Sequence, residues 1–172
     1  MYIANAGHTY YESVKAGSWD KTVDFFNVNV FSAIYAFNKV KKLKGSKPFH
    51  FVVTASAMSF MPLAGYALYS SSKFALKGYF DAARFELEKD QYISMIYPIT
   101  TKTNFFKKDM PIPFPAHSAN KVAASYLKGI RKQKKHIFPS KIFWLDTHFN
   151  LLQPTIQRRE AKAFRKWLKT NK

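Results

Sequence analysis

An α/β domain with a parallel sheet is what this sequence predicts, on three observations. Short apolar runs rich in Val, Ile, Phe and Tyr alternate with stretches of helical periodicity. Breaks at Asn5-Ala6-Gly7, Gly45-Ser46-Lys47-Pro48 and Pro98 separate them, so the order reads β-α-β-α-β-α-β followed by helices. The length of 172 residues and an apolar content of 47% suit one domain with its own core and exclude general disorder.

The elements follow in order. Tyr2-Ile3-Ala4 reads as a strand end, and Asn5-Ala6-Gly7 as the turn that leaves it. Residues 19–42 form a long helix with Val23, Phe26, Val30, Ile34 and Phe37 as its apolar stripe. Gly45-Ser46-Lys47-Pro48 ends it. Residues 49–54 are a strand and 55–66 a loop. A second long helix runs over 69–89, and 92–97 is a strand stopped by Pro98. Residues 98–117, with Pro111, Pro113 and Pro115, predict a long lid-like loop. Ser118 caps a helix to about Lys132, and 136–138 is a short strand. Two terminal helices, 141–152 and 155–169, are separated by Pro154.

Composition excludes several chemistries. There is no cysteine, which rules out disulfides, thiolate metal sites, iron–sulfur clusters and thiol nucleophiles, and fits a reducing cytoplasm. His8, His50, His117, His136 and His148 show no metal-ligand spacing, so no metal is expected. No apolar run reaches 18 residues, and Met1 leads into an apolar segment without a basic start, so neither a span nor a signal peptide is expected. The net charge is +18, and residues 91–172 hold 17 of the 28 basic side chains with three of the ten acidic ones. Such a half suits a solvated face or an anionic partner surface. Residues 155–172 are basic and amphipathic. Ile156, Ala163, Phe164, Trp167 and Leu168 could dock on the domain or on an anionic membrane; nucleic acid is not the expected partner.

Tyr-x-x-x-Lys occurs three times, at Tyr11/Lys15, Tyr35/Lys39 and Tyr69/Lys73. Spacing of four on a helix sets both side chains on one face. An ammonium beside a phenol, whose free pKa is near ~10, favours phenolate and suits the pair to proton exchange with an alcohol or carbonyl oxygen. Only the third pair has the right context. It opens a helix after a strand and loop, and Ser56 just past the strand can share the same substrate oxygen. Asn29 is a polar residue inside an apolar-rich helix, and needs a partner if buried.

Asn5-Ala6-Gly7, Asn29, Ser56 and Tyr69-x-x-x-Lys73, in this order and spacing, resemble the short-chain dehydrogenase/reductase family. The block from Val53 to Leu76, the stretch Asp81–Leu87 and the segment Tyr97–Asn104 resemble further parts of it. The resemblance covers about residues 1–139 and leaves 140–172 as a helical extension.

The resemblance implies a partial Rossmann-like, doubly wound parallel sheet that lacks the first βαβαβ half. It implies NAD or NADP as cofactor and an alcohol or carbonyl as substrate. Tyr69 would be the general acid–base, with its pKa lowered by Lys73, and Ser56 would position the carbonyl oxygen. Asn29 would hold a water of the proton relay. Asn5, Ala6, Gly7, Tyr69, Lys73, Pro98, Ile99 and Thr103 would border the cofactor. The family's dimer would form through helices 19–42 and 69–89. Two departures stand out. The family's Pro-Gly is Pro98-Ile99 here, and the glycine-rich strand–turn–helix that cradles the pyrophosphate does not precede Met1. The chain is therefore expected to be a C-terminal fragment, a truncated product or an alternative start. Two functions follow: an NAD(P)-dependent oxidoreductase, weak as the isolated chain, or a catalytically inactive module for association or membrane-surface contact.

Overall fold

The computed structural model describes residues 1–103, 105, 106, 110, 113 and 115–170. Asn104 of the Tyr97–Asn104 segment and Pro111 of the proline-rich loop lie outside the described residues. Four strands form one parallel sheet: β1 (Tyr2–Ala4), β2 (Phe49–Thr54), β3 (Gln91–Ile96) and β6 (His136–Ile137), in the spatial order β1-β2-β3-β6. The predicted β-α-β-α-β-α-β order is observed. β4 (Thr101–Lys102) and β5 (His117–Ser118) pair separately, so the loop predicted over 98–117 is pinned at both ends.

The central strands β2 and β3 are buried on both faces, as strands inside a parallel sheet require. Phe49, Phe51 and Val53 of β2 face one way, and meet Val30, Ala33 and Phe37 of the first long helix and Leu76, Phe80 and Ala83 of the second. Phe37 and Phe80 lie 5.3 and 5.7 Å from Phe51, ring centre to ring centre. Truncating any of these rings would cost about 3–5 kcal/mol. Val52 and Ile96 face the other way, onto Ile130 of α4 (Ala119–Arg131) and Ile137. Ser118 caps α4 as predicted, accepting from the Lys121 N–H.

Several boundaries differ from expectation. The helix over 19–42 is α1 (Trp19–Phe26), a π turn (Asn27–Phe31) and α2 (Ser32–Lys44) in one continuous rod. The widened turn shifts the buried stripe. Phe25, Asn29, Val30, Ala33 and Phe37 are buried, Val23 is exposed, and Phe26 and Ile34 are only half-buried. The helix expected to reach Lys89 is α3 (Ala67–Ala83) with one 3-10 turn, Arg84–Glu86. Arg84 turns its guanidinium onto the carbonyls of Ile93 and Lys135, and Asp90 at φ 62° starts β3 immediately afterwards.

Pro154 does not separate the terminal helices. It lies in the first turn of α6 (Gln153–Thr170), where a missing N–H costs nothing. The break is at Asn150, left-handed at the end of α5 (Lys141–Phe149). Asp146 Oδ1 then accepts from the Leu152 N–H, 2.7 Å away, to start α6. The apolar side of α6 docks on the domain: Phe164 and Trp167 pack against the Tyr11 ring. Gly65, at φ 80°, lies beneath this contact, where a Cβ would stand 2.3 Å from the Tyr11 ring.

Candidate active site

The carboxyl ends of β1, β2 and β3 open on one cavity of about 890 Å³. Ligands in open parallel sheets bind at these strand ends. Asn5, Gly7, Ser56, Tyr69, Lys73, Pro98, Ile99 and Thr103 all line it. Ala6 is exposed and Asn29 is buried behind the wall, so neither lines it.

Ser56 leaves β2 in extended conformation and caps the 3-10 turn Ala57–Ser59, its Oγ accepting from the Met58 N–H at 3.1 Å. Its side chain also hydrogen-bonds that of Tyr69, which is buried in the first turns of α3. Burial pushes the Tyr69 phenol up to about 12, and the Ser56 hydrogen bond opposes this only in part. The expected fall in Tyr69 pKa is therefore not the direction found within this chain: desolvation outweighs the Ser56 hydrogen bond.

Lys73 is 3% exposed, with Nζ 3.1 Å from the Thr54 carbonyl and 5.4 Å from the centre of the Tyr69 ring. Burial lowers its ammonium to about 8. The Thr54 hydroxyl donates to Asn5 Oδ1 at 2.7 Å, which ties the exit of β1 to the end of β2. Gly7 passes close beneath these groups. A Cβ there would lie 3.3 Å from Asn29 Oδ1 and 3.7 Å from Lys73 Nζ. The π turn aims Asn29 at this strand exit, and such turns recur at functional sites. Its side-chain amide is engaged with the His8 backbone, so a relay water would have to use its other atoms.

The other two Tyr-x-x-x-Lys pairs are elsewhere. Tyr11 is packed under α6, and Tyr35 is exposed with Lys39 over its ring. The sequence reading missed Tyr126 of α4, which lines the cavity, hydrogen-bonds Thr54 and interacts with Tyr69. No spacing rule points to it. It also missed Asp146, a buried acid in the cavity wall whose Oδ2 has no partner. Its signal was a lone carboxyl three residues after Phe143 on an apolar helix. Phe105 covers Tyr69 edge-on, with ring centres 5.8 Å apart. Among the described residues, no group of His, Asp or Glu is placed to hold a metal ion.

A family model described as short chain dehydrogenase matches residues 1–111. The 3-ketodihydrosphingosine reductase of Dictyostelium discoideum is 26% identical over 179 residues, covering 84% of this chain and 54% of that protein. A short chain dehydrogenase from Burkholderia cenocepacia, solved in complex with NADP, superposes with a TM-score of 0.76 at 16% identity, over 92% of this chain and 69% of its own. A short chain dehydrogenase/reductase from Burkholderia phymatum, solved with NAD, gives 0.72 at 16% identity, over 85% and 63%. The chain thus spans about half the length of the curated relative that it matches.

Proposed function

The chain belongs to the short chain dehydrogenase family, and on that basis we propose that it carries the proton-transfer and substrate-orienting part of an NAD(P)-dependent oxidoreductase acting on an alcohol or carbonyl. The observation that carries this reading is the Ser56–Tyr69 hydrogen bond beside buried Lys73, with all three residues lining one cavity.

The chemistry of these residues follows from their environments. A phenol held up at about 12 is protonated at neutral pH, and so is ready to donate to a carbonyl oxygen. The Ser56 side chain, already bonded to the phenol, offers that oxygen a second hydrogen bond and orients it. The Lys73 ammonium stabilises the phenolate left behind, and Nζ is anchored on the Thr54 carbonyl. The reverse sequence takes a proton from an alcohol.

The residues present fit one end of a nicotinamide cofactor. Asn5, Gly7, Lys73, Ile99 and Thr103 line the same cavity as the phenol, and would hold the nicotinamide and its ribose there. When bound, this group supplies or accepts the hydride. For the pyrophosphate, these 172 residues contain no Gly-x-x-x-Gly-x-Gly turn. Leu63, Phe105, Phe143 and Ile156 give the cavity an apolar wall, which suits an apolar carbonyl substrate. The name of the Dictyostelium relative, a 3-ketodihydrosphingosine reductase, supports a ketone of this kind.

A second reading, association without turnover, is favoured by the apolar side chains exposed on the two long helices, Val28, Phe31 and Tyr35 on the first and Phe74 on α3. One experiment separates the two: join the chain in frame to the glycine-rich half of a family relative and follow NADPH consumption with a panel of apolar ketones. Turnover that falls by at least ~10² in Tyr69→Phe, and comparably in Ser56→Ala, supports the enzyme. A folded, cofactor-binding chimera without turnover, or an active one indifferent to Tyr69→Phe, overturns it.

A further inference from the structure

α5 is an inverted amphipathic helix. It buries Phe143 and the acid Asp146, and turns Ile142, Trp144, Leu145 and Phe149 outward. The connector adds Leu151 and Leu152, 75% and 46% exposed. Six large apolar side chains within residues 142–152 thus form an exposed ridge. So many exposed large apolar side chains gathered within one short segment mark an interaction surface, unlike single ones scattered over a protein.

The charge around the ridge has one sign. Lys141 precedes it, and α6 follows with Arg158, Arg159, Lys162, Arg165, Lys166 and Lys169, all exposed. The acidic residues of 141–170 are Asp146, which is buried, and Glu160, which is ion-paired to Arg159 at 2.8 Å. A second copy of this chain would bring the same cations against themselves. An anionic lipid surface complements both features, because basic side chains pair with headgroups while apolar ones enter the acyl boundary. Trp144, one of the exposed apolar residues of α5, is the residue type that favours such a boundary.

The cavity reaches the same corner. Ile142 and Leu152 belong to the exposed ridge and also to the cavity wall, together with Ile156. Among the described residues, no helix is long and apolar enough to cross a membrane.

We propose that the α5–α6 corner, with residues 142–152 as its apolar ridge, seats this chain on an anionic membrane surface with the cavity opening toward the lipid. This relocates the contact expected for 155–172. The apolar side chains of α6 are already packed on Tyr11 and its neighbours, so α6 contributes charge and α5 with its connector contributes insertion. The binding claim is independent of turnover.

The test is co-sedimentation of the full chain with vesicles of phosphatidylcholine and phosphatidylserine at 3:1, and with phosphatidylcholine alone, at low and high salt. Expected are binding to the anionic vesicles, weakening as salt rises, and at least a tenfold loss in Trp144→Ser/Leu145→Ser/Phe149→Ser. A parallel variant at exposed apolar sites elsewhere, Leu43→Ser/Phe85→Ser, is expected to bind as the unaltered chain does. Arg158→Glu/Arg159→Glu leaves the ridge intact and is expected to lose the preference for phosphatidylserine, which keeps the test decisive if the triple variant fails to fold. Absence of binding to anionic vesicles overturns the proposal, as does equal binding by the triple variant. So does light scattering in which the triple variant dissociates a dimer that ignores vesicles, because the ridge would then be a self-association surface.

Discussion

Asn29 closes both atoms of its side-chain amide on the backbone of His8: Oδ1 accepts from the His8 N–H at 2.9 Å, and Nδ2 donates to the His8 carbonyl at 2.8 Å. This pair of bonds fastens the π turn to the segment that leaves β1. The Asn5–Gly7 turn and Lys73 are thereby held in one rigid cluster. Asn29 is 1% exposed, so no water replaces the amide without rearrangement.

Asn29→Ala is therefore expected to cost about 2–4 kcal/mol, since two bonds are lost and two buried backbone groups are left unpaired. Asn29→Asp should cost at least as much, because a carboxylate oxygen would face the His8 carbonyl. Urea denaturation of both variants checks this; a loss below about 0.5 kcal/mol would show that the tie has no energetic weight.

Lys73 gives the stability a specific pH dependence. Its folded pKa, about 8, lies below the ordinary 10.5 because of burial. Below about pH 8 the ammonium is charged in both states, and its burial penalty is constant. Between about 8 and 10.5 the unfolded chain keeps the proton and the folded chain releases it, so stability rises with pH. Tyr69, raised by burial, has the opposite effect above about pH 10, where the unfolded chain ionises first. Between about pH 7.5 and 9.5 the chain should gain about 2 kcal/mol more than Lys73→Met does. Identical pH profiles for the two would mean that the ammonium is hydrated in solution.

Dinucleotide binding by these 172 residues alone should be weaker than about millimolar. Lys73 and the Asn5–Gly7 turn line the cavity, but a glycine-rich turn at a helix terminus usually anchors the pyrophosphate. Isothermal calorimetry with NADH and NADPH measures this directly, and micromolar affinity would refute it.

Self-association should depend on salt. β1 ends the sheet with Tyr2 and Ile3 exposed, and neither charge nor proline blunts it. Val28, Phe31 and Tyr35 on the first long helix and Phe74 on α3 are exposed as well, and helices 19–42 and 69–89 are the expected dimer contact. The +18 charge opposes association until salt screens it. Light scattering at tens of micromolar should therefore show growth in size from low to high salt. A monomer unchanged across that range would defeat the prediction.

The sheet was readable in the sequence because β2 and β3 are short, apolar and sharply punctuated: Phe49 to Thr54 and Gln91 to Ile96 fall within one residue of their expected ends. The cluster of Ser56, Tyr69 and Lys73 was readable because, of three Tyr-x-x-x-Lys pairs with the same helical step, only Tyr69/Lys73 follows a strand and a loop that carries Ser56. The π turn was not. Nothing in Asn27-Val28-Asn29 marks a widened turn, and it exists because Asn29 finds the His8 backbone, a partner made only by the tertiary fold. The end of α3 depended on Arg84 reaching Lys135 across the sheet, which is equally non-local. The direction of the Tyr69 shift followed from burial, and spacing carries no information about burial.

The π turn also gives the first long helix one residue more than a regular helix needs to join the same two ends. Removing a residue from an ordinary α-helix rotates everything beyond it by about 100°, which here would carry Phe37 off Phe51. Removing one between Asn27 and Phe31 instead lets the wide turn close to α geometry, and Ala33 and Phe37 keep their seats on the sheet. What disappears is the bulge that presents Asn29 to His8. The chain thus has a locus where loss of a single codon severs the link to the Asn5–Gly7 turn and spares the scaffold, so architecture and tie are separately heritable.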